Sequence, residues 1–264
     1  MMGYTLRTAC AATIIAAQLC ACSGGRGVGI PGTGALPNSA VGSETLRAKD
    51  FKRLAAWGPK GKPALAQCPQ GYKVIAGGSS SSDGSFVGTG YANSGRSVWI
   101  VKPSGSASAE AFATCVQRRS AAGKSFHWRV GNPVSGLASA QCRVGYILVT
   151  GYGTGTVTAS WFNPDTNTYW VTGGGIAYAS CARSDAGVTI RHAWNKSQHP
   201  KAVFAGCGSG KTVIAGAMGD SAWPGPPIQE HPGVSSSPGV HGNRGWWTFS
   251  NAKNELTWAA CVQQ

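Results

Sequence analysis

Three segments of this chain align without a gap, and this internal repeat constrains the fold more than any other feature. They are CPQGYKVIAGG from Cys68, CRVGYILVTGY from Cys142 and CGSGKTVIAGA from Cys207. Each carries glycine three residues after the cysteine (Gly71, Gly145, Gly210) and an aliphatic pair (Val74–Ile75, Leu148–Val149, Val213–Ile214). Each has a second glycine nine residues after the cysteine (Gly77, Gly151, Gly216). A variable loop follows, then a tryptophan strand around Trp99, Trp170 or Trp247, then a closing strand: AFATCV, AYASCA or TWAACV. The closers share an aromatic residue three places before their cysteine (Phe112, Tyr178, Trp258), and a further tryptophan precedes each opening cysteine (Trp57, Trp128, Trp194). The units run near 44–118, 119–184 and 185–264.

Each unit reads as three or four short strands punctuated by Gly, Pro, Asn and Ser, with no helical periodicity. In AFATCV the period of two puts Phe112, Thr114 and Val116 on one face. The 39 glycines and only 12% charged residues also favour a turn-rich all-β chain over a helical one. A unit this small cannot bury an apolar face alone, so three should close around a common axis. A β-prism-like arrangement, three sheets packed face-in, suits this best; a β-trefoil is the alternative. The run W…CPxGY…G, closed by a second cysteine, is similar to the repeats of the egg vitelline membrane outer layer protein. That resemblance covers the first half of each unit and implies a disulfide-bearing β-prism.

The chain opens MMGYTLRTACAATIIAAQLCAC: one cation (Arg7), then an uncharged Ala/Ile-rich stretch too short for a permanent span. Residues 1–21 are expected to be a signal peptide. The ending Leu19-Cys20-Ala21-Cys22 resembles the lipobox of bacterial lipoproteins. It implies cleavage before Cys22, acylation of that thiol and amine, and a membrane partner through the lipid. Ser23 after it points to outer-membrane sorting; ordinary secretion is the alternative. Residues 22–43 are Gly/Pro/Ser-rich without periodicity, as a flexible tether should be, and the three-repeat domain is expected at 44–264.

Of nine cysteines, Cys10 and Cys20 leave with the leader and Cys22 takes lipid, so six remain. An even number in an exported chain implies disulfides. Equivalence of the units pairs Cys68–Cys115, Cys142–Cys181 and Cys207–Cys261; a swapped scheme, each opener bonded to the previous closer, also respects the symmetry.

The net charge of +14 becomes +13 once Arg7 is removed, with nine acidic residues in all. Such a surface draws polyanions, with nucleic acid the less expected among them. GCGSGKT at 206–212 invites a phosphate-loop reading, but the motif requires glycine at position 205, which is alanine. Its sister segments lead into strands, so no nucleotide is expected. The histidines (His127, His192, His199, His231, His241) lack zinc-ligand spacing, and neither metal nor other cofactor is expected. Asp83, Asp165 and Asp220 fall once per repeat, either as turn formers or as ligands. Arg96, Asn167 and Arg244 stand three residues before the strand tryptophans. They read either as turns into a core strand or, with Asp165 and Tyr169, as contacts to a sugar or an anion. The expectation is a non-enzymatic envelope lipoprotein that binds carbohydrate or an anionic cell-surface polymer. A purely structural envelope protein is one alternative. A cell-wall polysaccharide hydrolase using Glu110, Asp165 or Glu230 is the other.

Overall fold

The computed structural model describes residues 45–82, 87–103, 105–157, 159–163, 165–194, 201–220, 235–238, 244–250 and 255–264. Cys22, Asp83, His199, Glu230, His231 and His241 lie outside them. The described chain is almost wholly β, six strands to each repeat. The first repeat holds β1 (Phe51–Trp57), β2 (Ala64–Gln67), β3 (Tyr72–Ser81), β4 (Val87–Ala92), β5 (Val98–Pro103) and β6 (Ala109–Gln117). The second holds β7 (Phe126–Gly131), β8 (Leu137–Gln141), β9 (Tyr146–Thr154), β10 (Ala159–Asn163), β11 (Thr168–Thr172) and β12 (Ile176–Arg183). The third holds β13 (Thr189–Trp194), β14 (Lys201–Gly206), β15 (Lys211–Asp220), β16 (Ser235–Pro238), β17 (Gly245–Ser250) and β18 (Glu255–Gln263). One turn of helix, α1 (Ala121–Lys124), links the first two; the Ser120 hydroxyl accepts the Gly123 N–H at its start. Among the described residues no helix is long and apolar enough to cross a membrane.

Every repeat builds two antiparallel three-stranded sheets. The first, third and sixth strands form inner sheets in the orders β1-β6-β3, β7-β12-β9 and β13-β18-β15. The second, fourth and fifth form outer sheets, β2-β5-β4, β8-β11-β10 and β14-β17-β16. A bridge from Ser236 to Ser79 joins the last outer sheet to the first inner one. The inner sheets pack face-in, as a prism-like arrangement requires; the outer layer raises the strand number from the three or four expected per unit to six. Strands such as ALAQ and VGTGYA are poor in β-branched residues, which is why the outer layer gives so little period-two signal.

A β-bulge recurs at one place in each third strand, between Val74 and Ala76, Leu148 and Thr150, and Val213 and Ala215. It explains the repeated aliphatic pair. Val74, Leu148 and Val213 turn outward under the outer sheet, while the bulged Ile75, Val149 and Ile214 point to the central core. Those three are at most 1% exposed and meet Val116, Ala182 and Val262 from the sixth strands. The phase shift then turns Gly77, Gly151 and Gly216 back toward the outer sheet. There each lies flat against one ring, Trp99, Tyr169 or Trp246; a Cβ on any of them would sit 2.0–2.2 Å from that ring.

The register makes Trp99, Tyr169 and Trp246 equivalent, each facing an alanine of the second strand (Ala66, Ala140, Ala205). Aligning Trp99 with Trp170 and Trp247 is therefore one residue out, and a one-residue slip moves a side chain to the opposite face. The tryptophans before the opening cysteines are not equivalent either. Trp57 pairs with Glu110 and Trp194 with Leu256, but Trp128 pairs with Ser180, four places along the ladder. The three disulfides join Cys68 to Cys115, Cys142 to Cys181 and Cys207 to Cys261, each within one repeat. Each opening cysteine directly follows the second strand, so the bridge ties an outer sheet to the sixth strand of the inner one.

The repeats close cyclically through one position of the first strand. Trp128 donates its indole N–H to the Val74 carbonyl at 3.1 Å, reaching from the second repeat into the first. Ile190 of the third packs on the core of the second, and Arg53 of the first donates to the Thr212 hydroxyl of the third at 3.1 Å.

Candidate functional site

The turns before the fifth strands were the expected ligand loops, and most of their chemistry is spent on the fold. The opening cysteine N–H bonds the carbonyl of Ser97, Asn167 or Arg244 at 2.7, 3.0 and 2.6 Å. Asn167 and Arg244 are thus equivalents of Ser97, and Arg96 stands one residue earlier. Arg96 has φ 50°, and its carbonyl accepts the Val74 N–H at 2.7 Å. In the second repeat the Asn167 side chain takes over that role. Its Oδ1 accepts the Leu148 N–H at 2.7 Å, and its Nδ2 donates to the Tyr146 carbonyl at 2.6 Å. Asparagine tolerates the left-handed backbone, φ 57°, that this clip needs.

Tyr169 is 7% exposed beneath Gly151 and donates its hydroxyl to Ser160 Oγ at 2.9 Å. Both side chains, expected as sugar contacts, are thus engaged within the fold. Asn167 is a backbone clip and Tyr169 is core. Asp165 and Arg244 are exposed turn residues of the second and third repeats. Glu110, half-buried in the first repeat, accepts the Ser80 hydroxyl at 2.9 Å. Among the described residues no group of three His, Cys, Asp or Glu side chains is placed to hold a metal.

What the fold does gather is a set of cations at the seam between the first two repeats. Lys73, early on β3, crosses the seam and donates Nζ to the Phe126 carbonyl at 2.9 Å. Burial, then the charges of Arg96 and Arg118, lower the pKa of its ammonium. Arg118, just past β6, donates Nε to the Tyr72 carbonyl at 3.1 Å and Nη2 to the Gly95 carbonyl, which ties the Arg96 turn to β3. The Arg96 guanidinium lies 5.7 Å from the Trp128 ring centroid. On the far side of the seam Arg143 stacks on Tyr146 at 4.6 Å, and the His127 ring meets Tyr146 edge-on at 5.2 Å. Burial, then Lys73 and Arg143, hold His127 below the ordinary imidazole range.

The charges acting on Lys73 and His127 are all positive. Among the described residues one ion pair forms, Arg183 with Asp185. Such an array of cations interleaved with rings can take an anionic group in its centre. Ring faces and alkyl stems then offer an apolar floor.

The pseudo-symmetry does not repeat this site. The places of Lys73, Arg118, His127 and Arg143 are filled at the second seam by Ile147, Ser184, Thr189 and Gly208, and at the third by Thr212, Gln264, Lys52 and Pro69. Of the cluster, sequence reading singled out Arg96 alone as a candidate ligand residue. The available signal was departure from the repeat: Lys73 and Arg143 are charged where both sister residues are not. No family model matches the chain, and no significant match to it is found among curated proteins.

Proposed function

We propose that this protein is an exported, lipid-anchored binding module of the bacterial cell envelope that holds a polyanion at the seam between its first two repeats. The observation that carries this reading is the cluster of Lys73, Arg96, Arg118, His127 and Arg143, with no carboxylate among the described residues acting on Lys73 or His127, beside the Trp128 and Tyr146 rings. A neutral-sugar lectin is less well supported, because Asn167 and Tyr169 are committed to the fold. The reading assigns no catalytic residue, and its partner is an acidic glycan or another phosphate-, sulfate- or carboxylate-rich surface component.

Binding to dextran sulfate and to neutral dextran, measured across a salt series, tests it. Affinity for the sulfated polymer should fall steeply with salt, since exposed charges are screened over about 8 Å at physiological ionic strength. Arg96→Ala with Arg143→Ala should lower affinity at least ten-fold. Lys60→Ala with Lys62→Ala, the same charge change on the turn after β1, should leave it within two-fold. Salt-independent binding to neutral dextran, or none to either polymer, would overturn the proposal.

A further inference from the structure

The first described residues cross one end of the domain and seal it. Leu46 donates its N–H to the Ala186 carbonyl at 3.0 Å and is 1% exposed, packed in the central core with Phe51, Val116 and Val262. Arg47 bridges to Gln263, and its N–H bonds the Asp50 carboxylate at 2.7 Å. This is the end where β6, β12 and β18 finish. There the N–H groups of Arg118, Ser184 and Gln264 bond the carbonyls of Gly71, Gly145 and Gly210 at 2.9 Å each. Lys73 pairs with Val116 at this same end, beside Arg118 and the rest of the cation cluster. Lys52 adds its ammonium 4.9 Å over the Tyr72 ring, and Val144, next to Arg143, stands fully exposed at a turn tip. The chain therefore enters the domain through its cationic end.

We infer that this end is the membrane-facing surface of the domain and takes the phosphates of anionic lipid headgroups. The inference rests on the polyanion reading and names the partner. Two independent features of the chain support it. The first is charge complementarity, with an apolar tip beside a cation, which is the chemistry of interfacial docking. The second is the length of the tether. From Cys22 to Glu44 is 23 residues of Gly/Pro/Ser-rich sequence, and a random coil of that length in general has a root-mean-square span of about 26 Å. A folded chain of about 220 residues has a radius of gyration near 17 Å and so measures roughly 45 Å across. An anchor only 23 residues ahead of Thr45 therefore favours the end that Thr45 enters, the cationic one, as the end toward the surface. Tethering also makes the contact intramolecular, at an effective concentration in the millimolar range, so a surface of modest intrinsic affinity is occupied.

The test uses the mature chain carrying Cys22→Ser, which removes the anchor and leaves the surface. Flotation with phosphatidylglycerol-containing vesicles, with pure phosphatidylcholine vesicles, and binding to dextran sulfate are measured side by side. The expected result is binding to the acidic vesicles and not to the neutral ones. Each cation near an acidic bilayer contributes about five-fold, so Lys52→Gln with Arg143→Gln should weaken vesicle binding about 25-fold. Val144→Asp should weaken it too, at a site where substitution leaves the melting temperature unchanged. Dextran sulfate binding without vesicle binding would overturn the lipid assignment and leave the polyanion reading standing; binding to neither would end both. Acidic-vesicle binding indifferent to Lys52→Gln, Arg143→Gln and Val144→Asp would also overturn it.

Discussion

Replacing Gly77 by alanine should destabilise the protein by about 3 kcal/mol, against the usual gain from removing glycine inside a strand. The methyl carbon added at position 77 would fall 2.0 Å from Trp99 Cδ2, 2.3 Å from Cε2 and 2.4 Å from Cγ, where carbon contacts want about 3.5–4.0 Å. The ring cannot slide away. Trp99 is 3% exposed, Gly90 closes on its pyrrole edge with a Cβ position 2.7 Å from Nε1, and Tyr152 stands edge-on at 5.4 Å. Overpacking of this kind costs about 1–3 kcal/mol, and an overlap of about 1.5 Å with a walled-in indole belongs at the top of that range. With the ring gone, in a Trp99→Ala background that itself loses about 3–5 kcal/mol, the same Gly77→Ala change should stabilise by about 0.5 kcal/mol. The coupling between the two positions is then about 3.5 kcal/mol, at or just above the top of the range for directly contacting residues. Urea unfolding of the four proteins of the cycle, disulfides intact, measures it. If Gly77→Ala costs the same in both backgrounds, the ring-on-glycine packing is not what holds that position.

Two further outcomes follow from the staples and from His127. Peptide mapping without reduction should recover Cys68 with Cys115, Cys142 with Cys181 and Cys207 with Cys261, and reduction should lower the melting temperature sharply. Each bridge contributes up to about 4 kcal/mol by the chain-entropy relation; a peptide joining Cys115 to Cys142 would refute the within-repeat scheme. His127, held low by burial, Lys73 and Arg143, should titrate below the unperturbed value of about 6.5 by NMR. The unfolded chain then binds more protons near and below that pH, so stability falls as pH drops through it, and His127→Gln should flatten that loss. A bound polyanion should raise the His127 pKa and bind more tightly as pH falls below about 6.5. Titration at or above about 6.5 in the free protein would remove both effects.

The repeat was legible because each repeated residue meets the same physical demand three times. The opening cysteine binds its closer, the glycine nine places on lies under a ring, and the aliphatic pair straddles a bulge with one side chain to each core. The outer sheets were less legible, because an alanine facing an indole and a threonine facing an alanine carry no periodicity a reader can count. The tryptophan slip has a specific cause. GWWTF and TYWVT each place two aromatics in succession, and the spelling alone does not say which of them faces Gly216 or Gly151. The glycines decide it: the ring that lies flat on them is Trp246 in one repeat and Tyr169 in the other. That leaves Trp247, half-buried, packing beside Phe204 on the opposite face of its sheet.

The candidate site was illegible for the opposite reason. Residues that repeat are those the fold needs, whereas a site used once must be written where the repeat is broken. Lys73 replaces what is Ile147 and Thr212 elsewhere, and Arg143 what is Pro69 and Gly208. The cluster comes from five separate places, Lys73, Arg96 and Arg118 in the first repeat and His127 and Arg143 in the second, and docking of the two repeats brings the two groups together. Three-fold backbone symmetry therefore does not imply three binding sites here. A symmetric lectin would titrate three ligands per chain at equal affinity; the asymmetry of the seams calls for one. The other two seams close through Ile190 against the second repeat and through Arg53 on Thr212, and neither carries a counterpart of Lys73 or Arg143. If the proposed polyanion binds there, closure of the fold and capture of the anion depend on the same residue, since Lys73 both bonds the Phe126 carbonyl across the seam and lies beside the charges of Arg96 and Arg118.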